Sequence, residues 1–335
     1  MLSNRSISML LATLVIGVSF AAASVAADKG SDKKVRVLRI SSVLPETHPT
    51  HKAMLYFAEK VKERTKGEIE VKVFPSSQLG EQRDGLEGLK LGTLEMALAS
   101  TGPLGQFVPV LDVFNLPYIF RDVDHMHKAL AGGPGKKMDE EIIKAGFRPV
   151  FWLDSGTRNV ITVKKAIHTP DDLNGQKIRV MPSTLMANTL NSMGAIATPM
   201  GQGEVYNALQ SGVIDGWENS PITLYTLKLY EVSKQFSSTR HFITPDVVLI
   251  GNKTYDKLTS AQQKIILEAG KEAGVKQREY WAEAEGTAVK ELKAKGVVFT
   301  EIPDISAFAE RVKPVWKAYT DKFGTALVYE IQAIK

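Results

Sequence analysis

The chain has 335 residues, 24% of them charged, a net charge of +5 and no cysteine. That length suffices for two α/β lobes with cores of their own. The missing cysteines exclude disulfides, thiol catalysis and a cysteine-linked lipid anchor together, and the mild, diffuse positive balance suits small anions and argues against nucleic acid as a partner.

Met1–Ala27 contain Arg5, an apolar run from Met9 to Ala23 and the small residues Ser24-Val25-Ala26-Ala27. This is the pattern of an export signal cleaved after Ala26 or Ala27. An uncleaved anchor is the alternative, and the run falls short of the ~20 residues of a membrane span. Loss of the segment takes Arg5 with it and lowers the net charge to +4. The expected location is the periplasm.

Val35–Ser41 reads as a strand, followed by the loop Leu44-Pro-Glu-Thr-His-Pro49. A helix begins near Thr50, with Met54, Phe57, Ala58 and Val61 as its apolar stripe and Gly67 as its stop. Strand Ile69–Phe74, helix Glu81–Leu91 and strand Leu94–Ala99 complete a βαβαβ run. Such alternation predicts a largely parallel sheet with helices on its faces. Ligands of such sheets bind beyond the strand C-terminal ends, here loops 41–48, 74–82 and 99–106.

Leu111–Phe120 is apolar and broken by Pro117; two helices are predicted near 122–131 and 135–145. Phe147–Leu153 and Val160–Val163 read as strands, Thr184–Met193 as a helix and Ala195–Pro199 as a strand. Glu204–Ser211 reads as a helix, Val213–Gly216 as a very short strand, and Trp217-Glu218-Asn219 as its exit loop. Phe236–Thr239 and Val247–Gly251 read as further strands. Thr259 and Gln262 form a capping box that opens a helical pattern running to about Lys295. Unbroken, it would be roughly 50 Å long, enough to cross two lobes. The other reading is two helices kinked at Gly270 and Gly274.

The stretch Thr169–Pro182 organises the chain. Thr169, Pro170 and Asp172 suit a short capped turn ended by Asn174-Gly175. Strand Lys177–Met181 follows, with Arg179 mid-strand where its fork is aimed. An aimed fork matches a carboxylate bidentately. An internal ion pair or a solvated strand face is the competing reading.

Other motifs carry less. Gly132-Gly-Pro-Gly-Lys-Lys137 lacks the spacing of a phosphate loop and reads as a turn between helices. The pairs His48/His51 and His125/His127 have no carboxylate in a zinc-binding helical pattern and read as surface or capping residues. No metal and no cofactor is called for. No nucleophile elbow or other catalytic signature is present.

Several pieces occur in one order along nearly the whole mature chain. They are Gln78-Leu79-Gly80, Leu116-Pro117-Tyr118, Gly156-x-Arg158-Asn159, and Asp172-Leu173-x-Gly175-x-Lys177-Ile178-Arg179. Thr198-Pro199-Met200, Glu204-Val205-Tyr206-x-Ala208-Leu209-Gln210 and Asp215-Gly216-x-Glu218-Asn219 follow. With these the chain resembles the solute-binding subunits of tripartite ATP-independent periplasmic (TRAP) transporters, the dicarboxylate-receptor type. The resemblance implies an α/β, two-lobed periplasmic-binding-protein fold closing on an organic acid, with a long helix spanning both lobes. It implies that Arg179 grips the ligand carboxylate, Arg158 assists and Asn219 adds an amide contact. Thr157 stands where the family often has Phe, and Trp217 where many members have Gln. Gln202 replaces an aromatic residue of the sialate-binding branch, which argues against sialate. Trp217 either stacks on a sugar face or fills core. Gln82 and Ser100, on first-lobe loops, are further candidate polar contacts.

The expected function is a periplasmic receptor, not an enzyme, that delivers a small organic anion to the membrane permease subunits of a TRAP transporter. A sugar acid such as a uronate is the first expectation, a C4-dicarboxylate or 2-oxo acid the next. The rival readings are an exported lyase or hydrolase using Glu218 and a histidine, and a ligand-sensing module for a signalling receptor. The expected layout is a signal peptide at 1–27, lobe I at 34–155 with about 245–284, and lobe II at 156–244 with about 285–335. The receptor is expected to be a monomer.

Overall fold

The computed structural model describes residues 35–335, so the expected export signal lies outside the described residues. The first sheet is built from β1 (Arg36–Ser41), β2 (Ile69–Phe74), β3 (Met96–Ser100), β4 (Phe147–Leu153) and the late strand β10 (Asp246–Gly251). Its order is β2-β1-β3-β10-β4. The second sheet holds β5 (Thr157–Thr162), β6 (Lys177–Val180), β7 (Ile196–Pro199), β8 (Gly216–Asn219), β9 (Gln235–Ile243) and β11 (Val298–Thr300). Its order is β11-β9-β5-β8-β6-β7.

The βαβαβ start is parallel as expected: β1 pairs with both β2 and β3 in that sense. Strand β3 is buried along its whole length, which matches its apolar run Met-Ala-Leu-Ala before the terminal Ser100. The sheet is nevertheless mixed, because β10 enters antiparallel between β3 and β4. Its first residue, Asp246, therefore lies beside the last residues of its neighbours, Ser100 and Leu153.

The segment expected to be an exit loop is a strand. Trp217-Glu218-Asn219 belong to β8, clamped between antiparallel β5 and parallel β6. Val213–Asp215 form the turn before it. The run was too short and too mixed in polarity to show a period of two, and its ladder partners decided the outcome.

The late helical pattern is one helix, Ser260–Ala294, capped by Thr259 and Gln262 as expected. At 1.5 Å per residue it is roughly 50 Å long. Gly270 and Gly274 do not break it. A side chain at Gly270 would meet the Val150 carbonyl at 2.6 Å, and one at Gly274 the Trp152 carbonyl at 3.1 Å. Both glycines let the helix backbone lie directly on β4. The same helix packs on the first helix, Pro49–Arg64, and on helix Pro221–Thr226 beside the second sheet.

Two short connections join the sheets, Asp154–Gly156 between β4 and β5, and Thr244-Pro245 between β9 and β10. Buried Gln277 of the long helix holds the first in both directions: it accepts from Asp154 N at 2.9 Å and donates to Asp154 O at 2.9 Å. Gly156 sits at φ +73, with Trp281 and Ser220 crowding the space a side chain would need.

The C-terminal helices do not lie on the second sheet alone. Helix Lys313–Phe323 packs on helix Thr184–Ser192, yet its Tyr319 hydroxyl donates to Val110 O at 3.0 Å. Helix Ala326–Gln332 packs on helix Gly133–Lys144, which in turn covers β4. Apolar Val328 and Ile331 of that C-terminal helix are buried, and the helix they belong to packs on one that covers the first sheet.

Candidate functional site

Between the sheets lie two small adjoining cavities, the larger lined by thirteen residues and the smaller by nine. Gln82, Met181 and Gln202 line both. The smaller contains Arg179, the larger Arg158, Asn219, Ser100 and Asp246.

Arg179 sits in β6 between Thr198 of β7 and Trp217 of β8, so its backbone is fixed on both sides. The residue is 1% exposed. Its Nε and Nη2 donate to Met200 O at 3.0 and 2.7 Å, and Nη1 leans on Gln202 Oε1 at 3.4 Å. All these partners are neutral, and among the described residues no carboxylate comes within ion-pair distance of it. Burial pushes its pKa down to about 10; Glu218 opposes this from a distance and Arg158 adds to it. Arg179 is thus a buried guanidinium that, among the described residues, has no carboxylate within ion-pair distance.

Arg158 has a different environment. Its Nε donates to Glu218 Oε2 at 2.6 Å, and Nη2 to Glu218 Oε1 at 2.7 Å and to Glu218 O at 3.0 Å. Its fork is spent on an internal carboxylate, leaving Nη1 for the cavity it lines. His241 lies against the same carboxylate at 3.6 Å, its Nδ1 hydrogen-bonded to Thr239 Oγ1. Burial alone would raise the Glu218 carboxyl, but Arg158 and His241 hold it at about 2. So strong an acid, wholly buried and doubly held, is unsuited to proton transfer near neutral pH. Glu218 is thus committed to an internal ion pair with Arg158.

Asn219 lines the larger cavity, with its Oδ1 fixed by the Ser220 backbone N–H at 2.8 Å. Gln82 and Ser100 are brought together: Gln82 Oε1 accepts from Ser100 N at 2.7 Å. Trp217 does not reach the cavity. It is wholly buried among Ile161, Val205, Leu209 and Leu224, and its Nε1 donates to Ser233 Oγ at 3.1 Å. Of its two readings, core filling is the one the structure shows.

Sequence reasoning missed three contributors. Asp246 and His48 line the larger cavity from the first sheet's side. His48 caps the first helix by accepting from Thr50 N, and it is buried rather than superficial. Glu81 crosses the cleft: Oε2 accepts from Gln202 N and Oε1 from Gly203 N, both at 2.9 Å. The one signal for Asp246 was its position directly before an entirely apolar strand. None existed for Glu81, whose partners are backbone groups.

The bacterial extracellular solute-binding protein family, family 7, matches residues 40–322. A solute-binding protein of Chromohalobacter salexigens is 33% identical over 87% of this chain and 87% of its own. A TRAP periplasmic solute-binding protein of Sulfitobacter sp. NAS-14.1, solved with β-D-galacturonate, superposes with TM-score 0.85 at 38% identity, covering 88% of this chain and 98% of its own. One from Citrobacter koseri, solved with D-glucuronate, gives TM-score 0.87 at 38% identity, covering 90% and 100%.

Proposed function

The chain belongs to the bacterial extracellular solute-binding proteins of family 7, and from that premise we propose that Arg179 is the carboxylate anchor of a sugar-acid receptor. Members of this family are solute receptors rather than enzymes, and TRAP solute-binding proteins bind small acids and work with membrane TRAP subunits. The observation that carries the anchor role is the guanidinium itself: 1% exposed, and bonded only to a carbonyl and an amide oxygen. An incoming carboxylate supplies the missing charge and two acceptor atoms. Arg158 Nη1, Asn219, Gln82 and Ser100 face the rest of the ligand across the larger cavity.

A uronate is the ligand class this reading favours, as the solved relatives carry galacturonate and glucuronate and the larger cavity is walled by hydroxyls, amides and charged groups. The lobes divide near residue 156, with β10 and most of the long helix belonging to the first. Residues 1–27 act as a cleaved export signal, and the working receptor is a monomer in the periplasm.

A thermal-shift screen of uronates, aldonates, C4-dicarboxylates and neutral sugars tests the reading. A ligand at 100 times its Kd adds about 2.7 kcal/mol to the folded state. Uronates should raise the melting temperature and the corresponding neutral sugars should not. Stabilisation by neutral sugars in preference to their acids would overturn the carboxylate-anchor role.

A further inference from the structure

The wall of the larger cavity opposite Arg158 carries two polar atoms that the protein leaves unused. Asp246 opens β10 at the cleft edge of the first sheet, in register with Ser100. The residue is 5% exposed, and its buried Oδ1 makes no hydrogen bond. Burial has the largest effect on its carboxyl and raises the pKa to about 6; the Ser100 and Ser155 hydroxyls and the Arg158 charge favour the charged form, while Asp154 opposes it. On the same wall His48 is 2% exposed. Its Nδ1 accepts a hydrogen bond from Thr50 N, so the ring proton of the neutral imidazole resides on Nε2. That Nε2–H is buried and likewise unused. Burial keeps the ring neutral, with its pKa pushed down to about 3.

One wall thus offers an anionic acceptor and a neutral donor. A hydroxyl group satisfies both kinds of atom, because it donates and accepts. A carboxylate satisfies only the donor and is repelled by Asp246. Resting on the reading that Arg179 takes the ligand's carboxylate, we infer that Asp246 and His48 form a hydroxyl-reading wall, and that Asp246 selects polyhydroxylated monocarboxylates against dicarboxylates. The acid end is read by an unpaired cation and the far end by an unpaired anion, so the site is polar in one direction. Succinate lacks the hydroxyls that Asp246 and His48 require. Galactarate has them but places a second carboxylate where Asp246 stands.

Calorimetry on the purified receptor, with D-galacturonate, D-glucuronate, galactarate and succinate, tests this. The wild-type protein should bind the better uronate at least about 100-fold more tightly than galactarate or succinate, as polar sites reject ligands that leave buried groups unpaired. Asp246→Asn should weaken uronate binding by about tenfold or more, the worth of a hydrogen bond to a charged group. It should also narrow the uronate-to-galactarate ratio by a similar factor. Uronate affinity and ratio both unchanged in Asp246→Asn would overturn the inference. So would a wild-type receptor that binds galactarate as well as uronates, a result needing no variant. Binding of none of the four acids would overturn the sugar-acid reading and this inference with it; tight uronate binding without the Asp246 effect removes only the latter. His48→Gln, with its fold verified by circular dichroism, should weaken uronates and leave succinate unchanged.

Discussion

Replacing Arg179 by Lys separates an anchor for ligand from a strut of the fold. The guanidinium has five N–H groups. Nε and one Nη2 proton go to Met200 O, and one Nη1 proton leans to Gln202 Oε1. One N–H on each terminal nitrogen is left, two donors for an incoming carboxylate. A lysine keeps the charge but has no such pair, and its three protons must also serve the Met200 carbonyl. Breaking a buried charge pair on one side costs about 2–5 kcal/mol, or about 30-fold to several thousand-fold in affinity at ~1.4 kcal/mol per tenfold. Stability should behave differently. The fall of the Arg179 pKa from 12.5 to about 10 means that the free protein carries an uncompensated buried charge, worth about 3 kcal/mol at 1.36 kcal/mol per pH unit. Lysine inherits that burden without adding to it, so the melting temperature of the ligand-free variant should move by only a few degrees, about the effect of 1 kcal/mol. Calorimetry with galacturonate or glucuronate, alongside thermal melts of the free protein, is the assay. Binding within about threefold of wild type, far below the ~1.4 kcal/mol of a tenfold change, would refute the anchor role. So would a loss of binding matched by loss of the fold.

Three further outcomes are expected. Glu81→Gln leaves one oxygen where two now hold Gln202 N and Gly203 N across the cleft; affinity should fall about tenfold, mostly through faster release, as one charged hydrogen bond is lost. X-ray scattering should show a larger radius of gyration for the free variant than for free wild type, and equal radii would refute the bridging role. Glu218→Gln strands the Arg158 charge in the interior and should destabilise the protein by about 3–5 kcal/mol in denaturant titration; a cost under about 1 kcal/mol would show the pair to be dispensable. For Asp246, burial lifts the pKa from 3.8 to about 6. Between those values the folded chain keeps a proton that the unfolded chain has lost, so stability falls as pH rises through that window. Asp246→Asn should therefore gain stability over wild type from pH 4 to 6, by at most about 3 kcal/mol, and the gap should be level above pH 7; a pH-independent gap would contradict this.

The course of the chain was legible wherever one residue pattern ran long enough. The capping box at Thr259 and the apolar stripe behind it gave the long helix, and βαβ alternation gave the first three strands. Arg179 could be singled out because Gly175 and Pro182 bound a short strand around it. What stayed hidden depended on partners far away in sequence. Whether Arg158 faces a ligand or Glu218 is decided by the register of β5 on β8, which places Val160 opposite Glu218. Trp217 looked equally suited to cleft and core until β8 fixed which way it points. Asp246 acquires its place from the reversed direction of β10, which no local pattern announces.

The position of β10 has a consequence for how the chain comes to exist. Strands β3 and β4 follow one another in sequence, yet β10 stands between them and they never pair. Asp246 meets Ser100 across 146 positions of chain. Until residues 246–251 arrive, β4 has no strand to join and β3 shows a bare edge, a surface open to wrong pairings. All strands of the second sheet but β11 are by then already synthesised. Closure over so long a separation is slow, so the first sheet is completed late in folding. The wall that carries Asp246 is finished by that same step. A chain halted short of it has neither a whole first sheet nor a whole cleft, and the ability to hold a ligand arrives together with the finished fold.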